Sequence, residues 1–210
     1  MTKIYLIRHG ESLANAKRIY LGHTDWDLSP LGKEQAECVA EFLKDEKIDV
    51  IYSSDLIRAY NTALPHAKRR GMEIIPDKSF REIYLGEWEC SPLDELEAKY
   101  PEEFSIGWRQ NFGICSVPGG ESVPELAKRI YAAVERVGKE NEGKTVLVAC
   151  HAAAIRSFWG LLTNTPAEEV CEKIPFPLNA SVTTVIYDGK LIPVEYGNAS
   201  FFDKTREADA

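Results

Sequence analysis

Two histidines and two arginines stand where an α/β chain would place chemistry. An apolar run, Lys3–Arg8, leads into His9-Gly10-Glu11-Ser12. A second, Ile48–Ser53, leads into Ser54-Asp55 with Arg58 one turn later, and a third, Thr145–Cys150, ends at His151. In an open α/β sheet ligands bind beyond the carboxyl ends of the strands, so parallel pairing of these runs brings His9, Arg58 and His151 together. Guanidiniums remain protonated and, when buried, need a counter-anion; a phosphoryl group accepts their paired N–H bonds. An imidazole titrates near ~6.5, so at neutral pH one histidine can attack phosphorus as a neutral ring while the other acts as a charged donor. Gly10 after His9 lets backbone approach a ligand closely, and helix starts nearby offer N–H groups to an anion. The competing reading makes Arg8 and Arg58 surface ion pairs with Glu11 and Asp55.

The elements that must hold these residues alternate between short β-rich runs and helical stretches, the pattern of an α/β sheet. Lys3–Arg8 is too apolar for a one-sided sheet and predicts a strand covered on both faces. Ser29-Pro30 reads as an N-cap with proline at the first helical position, followed by the stripe Ala36, Val39, Ala40 and Leu43. Ile48–Ser53 is a second strand, Ser54 or Asp55 caps a helix running toward Gly71, and Met72–Pro76 is a short third strand. From Gly86 to Gly120 the alternation breaks. Trp88, Tyr100, Phe104, Trp108 and Phe112 crowd together while Pro92, Pro101 and Pro118 forbid a long helix, which predicts an inserted helical cap over the site (86–120). The helix from Ser122 carries Val123, Leu126, Ala127, Ile130, Ala133, Val134 and Val137 on one face. Thr145–Cys150 is a buried strand followed by a helix through Leu162. Ser181–Tyr187 and Leu191–Tyr196 flank Asp188-Gly189 as a hairpin, and Asp203–Ala210 reads as a frayed polar tail. The expected fold is a single three-layer α/β/α domain (1–210) with a mostly parallel sheet and a C-terminal antiparallel hairpin.

Composition narrows the function classes. The chain has 210 residues, 44% hydrophobic and 28% charged, ordinary globular usage for one domain. Its 25 Lys and Arg against 33 Asp and Glu give a net charge of −8, which repels nucleic acid and anionic lipid, and there is no basic block to offset it. No apolar run reaches the ~18 residues of a membrane span and the first residues do not read as a signal peptide, so a cytoplasmic protein is expected. Five scattered cysteines (Cys38, Cys90, Cys115, Cys150, Cys171) contain no CxxC pair and read as buried reduced thiols. Cys150 points to the core by strand alternation. His66 reads as packing within its helix.

Leu6-Ile7-Arg8-His9-Gly10-Glu11-Ser12 with Asn15 resembles the histidine phosphatase superfamily, the phosphoglycerate-mutase-like proteins. So do Gly22-His23-Thr24-Asp25, Leu28-Ser29-Pro30-Leu31-Gly32, and Tyr52 through Ala59. Arg81-Glu82-Ile83 with Gly86-Glu87-Trp88-Glu89, Pro118-Gly119-Gly120-Glu121-Ser122, and Cys150-His151 before Ile155-Arg156 continue the pattern in family order. The resemblance implies His9 as a nucleophile that becomes phosphohistidine, Arg8, Arg58 and His151 as a clamp on the phosphoryl oxygens, and Glu82 as proton donor. It adds Asn15, His23, Thr24, Tyr84 and Trp108 as candidate substrate contacts, His23 being divided between loop structure and rim. A small phosphate monoester is the expected partner, with no cofactor and no metal, no HExxH or carboxylate-rich loop being present. A homodimer stays open.

Two departures stand out. Ala152 and Ala153 follow His151 where the family usually has glycine, and Cys90 stands where its phosphatase branch commonly has glycine. The segment 86–120 offers Lys99 and Arg109 against Glu87, Glu89, Asp94, Glu95, Glu97, Glu102 and Glu103. That acidity favours a phosphomonoesterase with a neutral or ring-bearing leaving group over a phosphoglycerate mutase; a catalytically silent phospho-ligand module is the third option.

Overall fold

Alternation along the first strand sets the layers. In β1 (Thr2–Arg8) Ile4 and Leu6 project into one apolar cluster and Tyr5 and Ile7 into another, so the strand is covered on both faces. The computed structural model describes residues 1–202; the polar tail expected at Asp203–Ala210 lies outside the described residues. After β1 come α1 (Pro30–Phe42), β2 (Val50–Ser53), α2 (Ile57–Arg70), β3 (Ile74–Pro76), α3 (Leu93–Lys99), α4 (Val123–Glu140), β4 (Thr145–Cys150), α5 (Ala152–Leu162), α6 (Val170–Lys173), β5 (Val182–Tyr187) and β6 (Leu191–Asn198). The six-stranded sheet has the order β3-β2-β4-β1-β5-β6. β1 through β4 pair in parallel, β5 runs antiparallel to β1, and β6 antiparallel to β5. Helices α4 and α5 cover one face and α1 and α2 the other, giving the expected three-layer α/β/α arrangement.

Local chemistry explains most boundaries. Ser29 accepts the Gly32 N–H at the start of α1, and Ser122 forms a reciprocal capping box with Glu125 at the start of α4, whose apolar stripe is buried throughout. β2 begins at Val50 rather than Ile48 because the Asp49 carboxylate takes the Thr145 N–H at 2.9 Å, where backbone would otherwise continue the ladder. The expected cap of α2 is corrected. Neither Ser54 nor Asp55 fills it; Leu56 is the cap residue, and the Ile57 N–H goes to the Asp25 carboxylate at 2.8 Å. Asp55 is instead held by both ends of the Arg81 fork at 2.7 Å each.

Between Gly86 and Gly120 the chain winds through short helical pieces: a 3₁₀ turn at Gly86–Trp88, α3, a π-helical stretch at Pro101–Trp108 and a 3₁₀ turn at Phe112–Ile114. Trp88, Phe104, Trp108 and Phe112 are buried in the same core as α4 and α5. Trp88 meets Phe104 edge-on at 5.3 Å and Trp108 meets Phe112 at 5.0 Å. The segment is stitched to the loop after β1 by backbone bonds from Tyr20 to Ser91, from Cys90 to Tyr20 and from Leu93 to Arg18.

Candidate active site

Strand register carries the two histidines to one place. Arg8 pairs with Cys150 across β1 and β4, so the next residues, His9 and His151, leave the sheet side by side. The His9 N–H donates to the Cys150 carbonyl at 3.0 Å, and the two rings lie 5.2 Å apart at 63°. β2 adds the third strand end. Ser53 pairs with Ala149, and Ser54 presents its hydroxyl 2.9 Å from His151 Nε2.

The environment fixes the charge states. His9 Nδ1 lies 2.6 Å from the Gly10 carbonyl, an acceptor only, so Nδ1 carries the proton and Nε2 carries the lone pair. Burial, then the nearby Arg58 and Arg8, hold the His9 pKa well below its ordinary value, leaving a neutral ring at pH 7. His151 is fully buried and displaced in the same direction, first by desolvation and then by Arg58 and His9. Arg58 is 1% exposed; it donates to the Thr24 carbonyl at 3.0 Å and the Gly22 carbonyl at 2.7 Å. Arg8 is 7% exposed and donates to the Pro177 carbonyl at 2.6 Å, while its Nε has no partner among the described residues. Desolvation pulls the Arg8 pKa down to about 10, which leaves it charged at neutral pH.

The alternative of surface ion pairs is overturned. Glu11 accepts from Ser29 and Asp55 from Arg81. Among the described residues, neither Arg8 nor Arg58 has a carboxylate within ion-pair distance.

Glu82 is 8% exposed, and desolvation raises its carboxyl above the usual range. Oε1 accepts from Ile83 and Ala154 at 3.0 Å each, and Oε2 from Ala153 at 3.1 Å. The helix start after β4 is therefore partly occupied: Glu82 takes the N–H groups of the second and third residues of α5, which were expected to serve an anion. Gly10 is also reassigned. A Cβ there would sit 2.3 Å from the Gly32 carbonyl oxygen, so its missing side chain admits the first turn of α1.

The candidate contacts divide. His23 is half-buried, with Nε2 3.0 Å from the Glu82 carbonyl and its ring 5.2 Å from that of Tyr84, which is exposed. Thr24 enters through its backbone, whose carbonyl holds Arg58. Asn15 is exposed, and its Oδ1 accepts from the Ser12 N–H and hydroxyl. Trp108 is 4% exposed and packs against Tyr20, Trp88, Phe112 and Phe176, within the same apolar core as Phe104.

Several supports escaped sequence reasoning. Thr62 accepts the Gly10 N–H, Asn179 donates to the His9 carbonyl, and Arg129 on α4 grips the carbonyls of Ser79, Arg81 and Glu82 together with the Glu121 carboxylate. Each acts on backbone far away in sequence; Thr62, four residues after Arg58, and Arg129, eight after Glu121, lay near motifs, whereas Asn179 did not. All five cysteines are free, but Cys90 is exposed and Cys38 and Cys171 are half-buried, so only Cys115 and Cys150 are the expected core thiols. Ala152 sits within α5 with helical backbone and is buried, so its methyl distorts no dihedral. Cys90, by contrast, has φ +58°, where glycine would be unstrained.

The family model for the histidine phosphatase superfamily (branch 1) matches residues 4–199. The chain is 35% identical to "Phosphoglycerate mutase-like protein 4" of Arabidopsis thaliana over 97% of its length and 88% of that protein's. It is 38% identical to "Phosphoserine phosphatase 1" of Hydrogenobacter thermophilus over 76% of this chain and 75% of that one. Among solved structures it superimposes on a mycobacterial glucosyl-3-phosphoglycerate phosphatase complexed with VO3 with a TM-score of 0.85, 27% identity and coverage of 94% and 99%. With the strand-end residues in place and the match running almost end to end, the chain belongs to the histidine phosphatase superfamily, branch 1.

Proposed function

We propose that the protein hydrolyses small phosphate monoesters through a phosphohistidine at His9. One observation carries this reading. A neutral imidazole with its Nε2 lone pair uncommitted lies among two buried guanidiniums that have no carboxylate partner among the described residues. A phosphoryl dianion supplies the missing negative charge. His9 Nε2 attacks phosphorus in line with the ester oxygen, while Arg8, Arg58 and His151 hold the equatorial oxygens as charge spreads over them. Glu82, its pKa raised by burial, protonates the departing alkoxide, and its carboxylate then activates the water that cleaves the phosphohistidine. The positive charge comes from guanidiniums, so turnover is expected to persist in EDTA.

Phosphatase names among the relatives support hydrolysis. The segment 86–120, which we assign as a cap over the site, favours it over mutase chemistry, which requires a second cationic subsite. Its two basic residues are already engaged, Arg109 with Glu97 and over the Phe104 ring, and Lys99 over the Tyr100 ring at 5.0 Å.

The test is p-nitrophenyl phosphate hydrolysis in EDTA, with trapping of acid-labile phosphate on the protein. Wild type is expected to turn over and label, and His9→Ala to do neither. Equal inertness of both across a monoester panel rejects the enzyme in favour of a binding module. Phosphate transfer between glycerate positions with a bisphosphate primer, in place of release, identifies a mutase.

A further inference from the structure

Glu89 lies outside every role assigned above, yet it is the most heavily bonded carboxylate near the site. Oε1 accepts the His23 N–H at 2.7 Å and the Leu85 N–H at 3.4 Å, and Oε2 accepts those of Gly22 at 3.2 Å and Thr24 at 3.3 Å. Three consecutive N–H groups curl round one carboxylate, a nest in which protein supplies its own anion. Gly22 is fitted to it, since a Cβ there would stand 2.4 Å from Glu89 Oε1. No lysine or arginine forms an ion pair with Glu89 among the described residues; backbone N–H groups, joined by the Thr24 side chain, meet its charge and hold its carboxyl below the usual range despite burial.

The same short loop has a second face. The carbonyls of Gly22 and Thr24, whose N–H groups go to Glu89, are the two acceptors that hold the Arg58 guanidinium. Those bonds take two of the five N–H groups of Arg58. The loop thus sits between an anion that orders it and a cation that it orients. A free loop would let a 1%-exposed guanidinium lose its acceptors and turn away from His9.

We propose that Glu89 is a positioning residue for the phosphoryl clamp: by gathering the N–H groups of residues 22–24 it aims their carbonyls at Arg58 and so sets the guanidinium for the phosphoryl oxygens. This rests on the phosphatase reading above, in which Arg58 contacts the phosphoryl group.

Two consequences separate positioning from simple structural support. Arg58 serves the phosphoryl group and not the leaving group, so Glu89→Gln lowers kcat/KM for aryl and alkyl esters alike, by tenfold or more, and weakens inorganic phosphate binding by a similar factor. Because Glu89 acts through Arg58, its removal matters little once that arginine is gone: Glu89→Gln in an Arg58→Ala background changes kcat/KM and phosphate affinity less than twofold. Glu89→Asp, which keeps the charge but is one methylene short of the nest, falls between. Thermal unfolding of each variant, followed with phosphate titration by calorimetry, identifies the folded ones, and Glu89→Asp carries the cycle if the glutamine variant does not fold. Equal losses in both backgrounds, or full phosphate affinity in folded Glu89→Gln, overturn the proposal. If wild type binds phosphate without hydrolysis, the phosphatase reading falls while the phosphate arm of the cycle still decides for or against Glu89. If wild type binds no phosphate, both fall.

Discussion

A histidine that donates Nδ1–H to its own neighbouring carbonyl has one nitrogen left for chemistry, and at His9 that nitrogen is unprotonated at neutral pH. In the proposed mechanism His9 therefore stays competent to attack as pH falls through ~6.5, and the acid limb of kcat/KM is expected below that value. Glu82 shifts the other way: its raised carboxyl pKa keeps a proton available above the usual carboxylate range, and leaving-group protonation is lost as pH rises through it. Glu82→Gln is expected to remove that basic limb and to slow alkyl esters more than aryl esters, as initial rates on the two classes will show; equal losses take Glu82 out of the acid role. Arg58→Ala removes an oriented donor from the developing charge and should raise the barrier by about 2.7–4 kcal/mol, read as kcat/KM; a loss under tenfold contradicts the clamp.

At the scale of elements, the parts governed by local rules were legible. β1 and β4 show themselves as doubly buried apolar runs, α4 by its start at Ser122 and its apolar stripe, and the β5–β6 hairpin by Asp188-Gly189. What was hidden depends on partners distant in the chain. Asp55 looks like a helix cap until Arg81 claims it, and the N–H groups of Ala153 and Ala154 look open to an anion until Glu82 fills them. The aromatic residues of 86–120 were legible as a cluster, but neither periodicity nor composition distinguishes a ring that lines a site from Trp108, which fills a core. Cys90 ends this segment's first turn in left-handed backbone. Cys90→Gly relieves a strain of ~1–2 kcal/mol against ~0.5–1 kcal/mol of added chain entropy, so denaturant unfolding should show a gain of about 0.5–1 kcal/mol.

Across the whole molecule, three histidines are buried in the neutral form and make stability depend on acid. His66 is the clearest. It is 0% exposed, neither ring nitrogen has a partner among the described residues, and desolvation, with Arg70 and Arg69 adding to it, pulls its pKa down to about 3. Unfolded, the same ring titrates near ~6.5, so the unfolded chain binds the extra proton and stability falls as pH drops from ~6.5 toward 3. His9 and His151 act in the same sense. His66→Leu replaces two unpaired polar atoms with apolar surface. Its Tm is expected to match or exceed wild type at neutral pH and to decline less steeply on acidification; parallel Tm curves would show that this ring carries none of the acid sensitivity.

The sheet order has a last consequence, for biogenesis. β1 lies centrally, flanked by β4 and β5. A ribosome releases β1 long before either neighbour, so during translation this apolar strand waits with both hydrogen-bonding edges bare. Both rows of ladder bonds close only once the late-made strands arrive, and the same event first brings His9 and His151 together. Nascent chains halted before β4 should therefore be chaperone clients, devoid of turnover and prone to self-association.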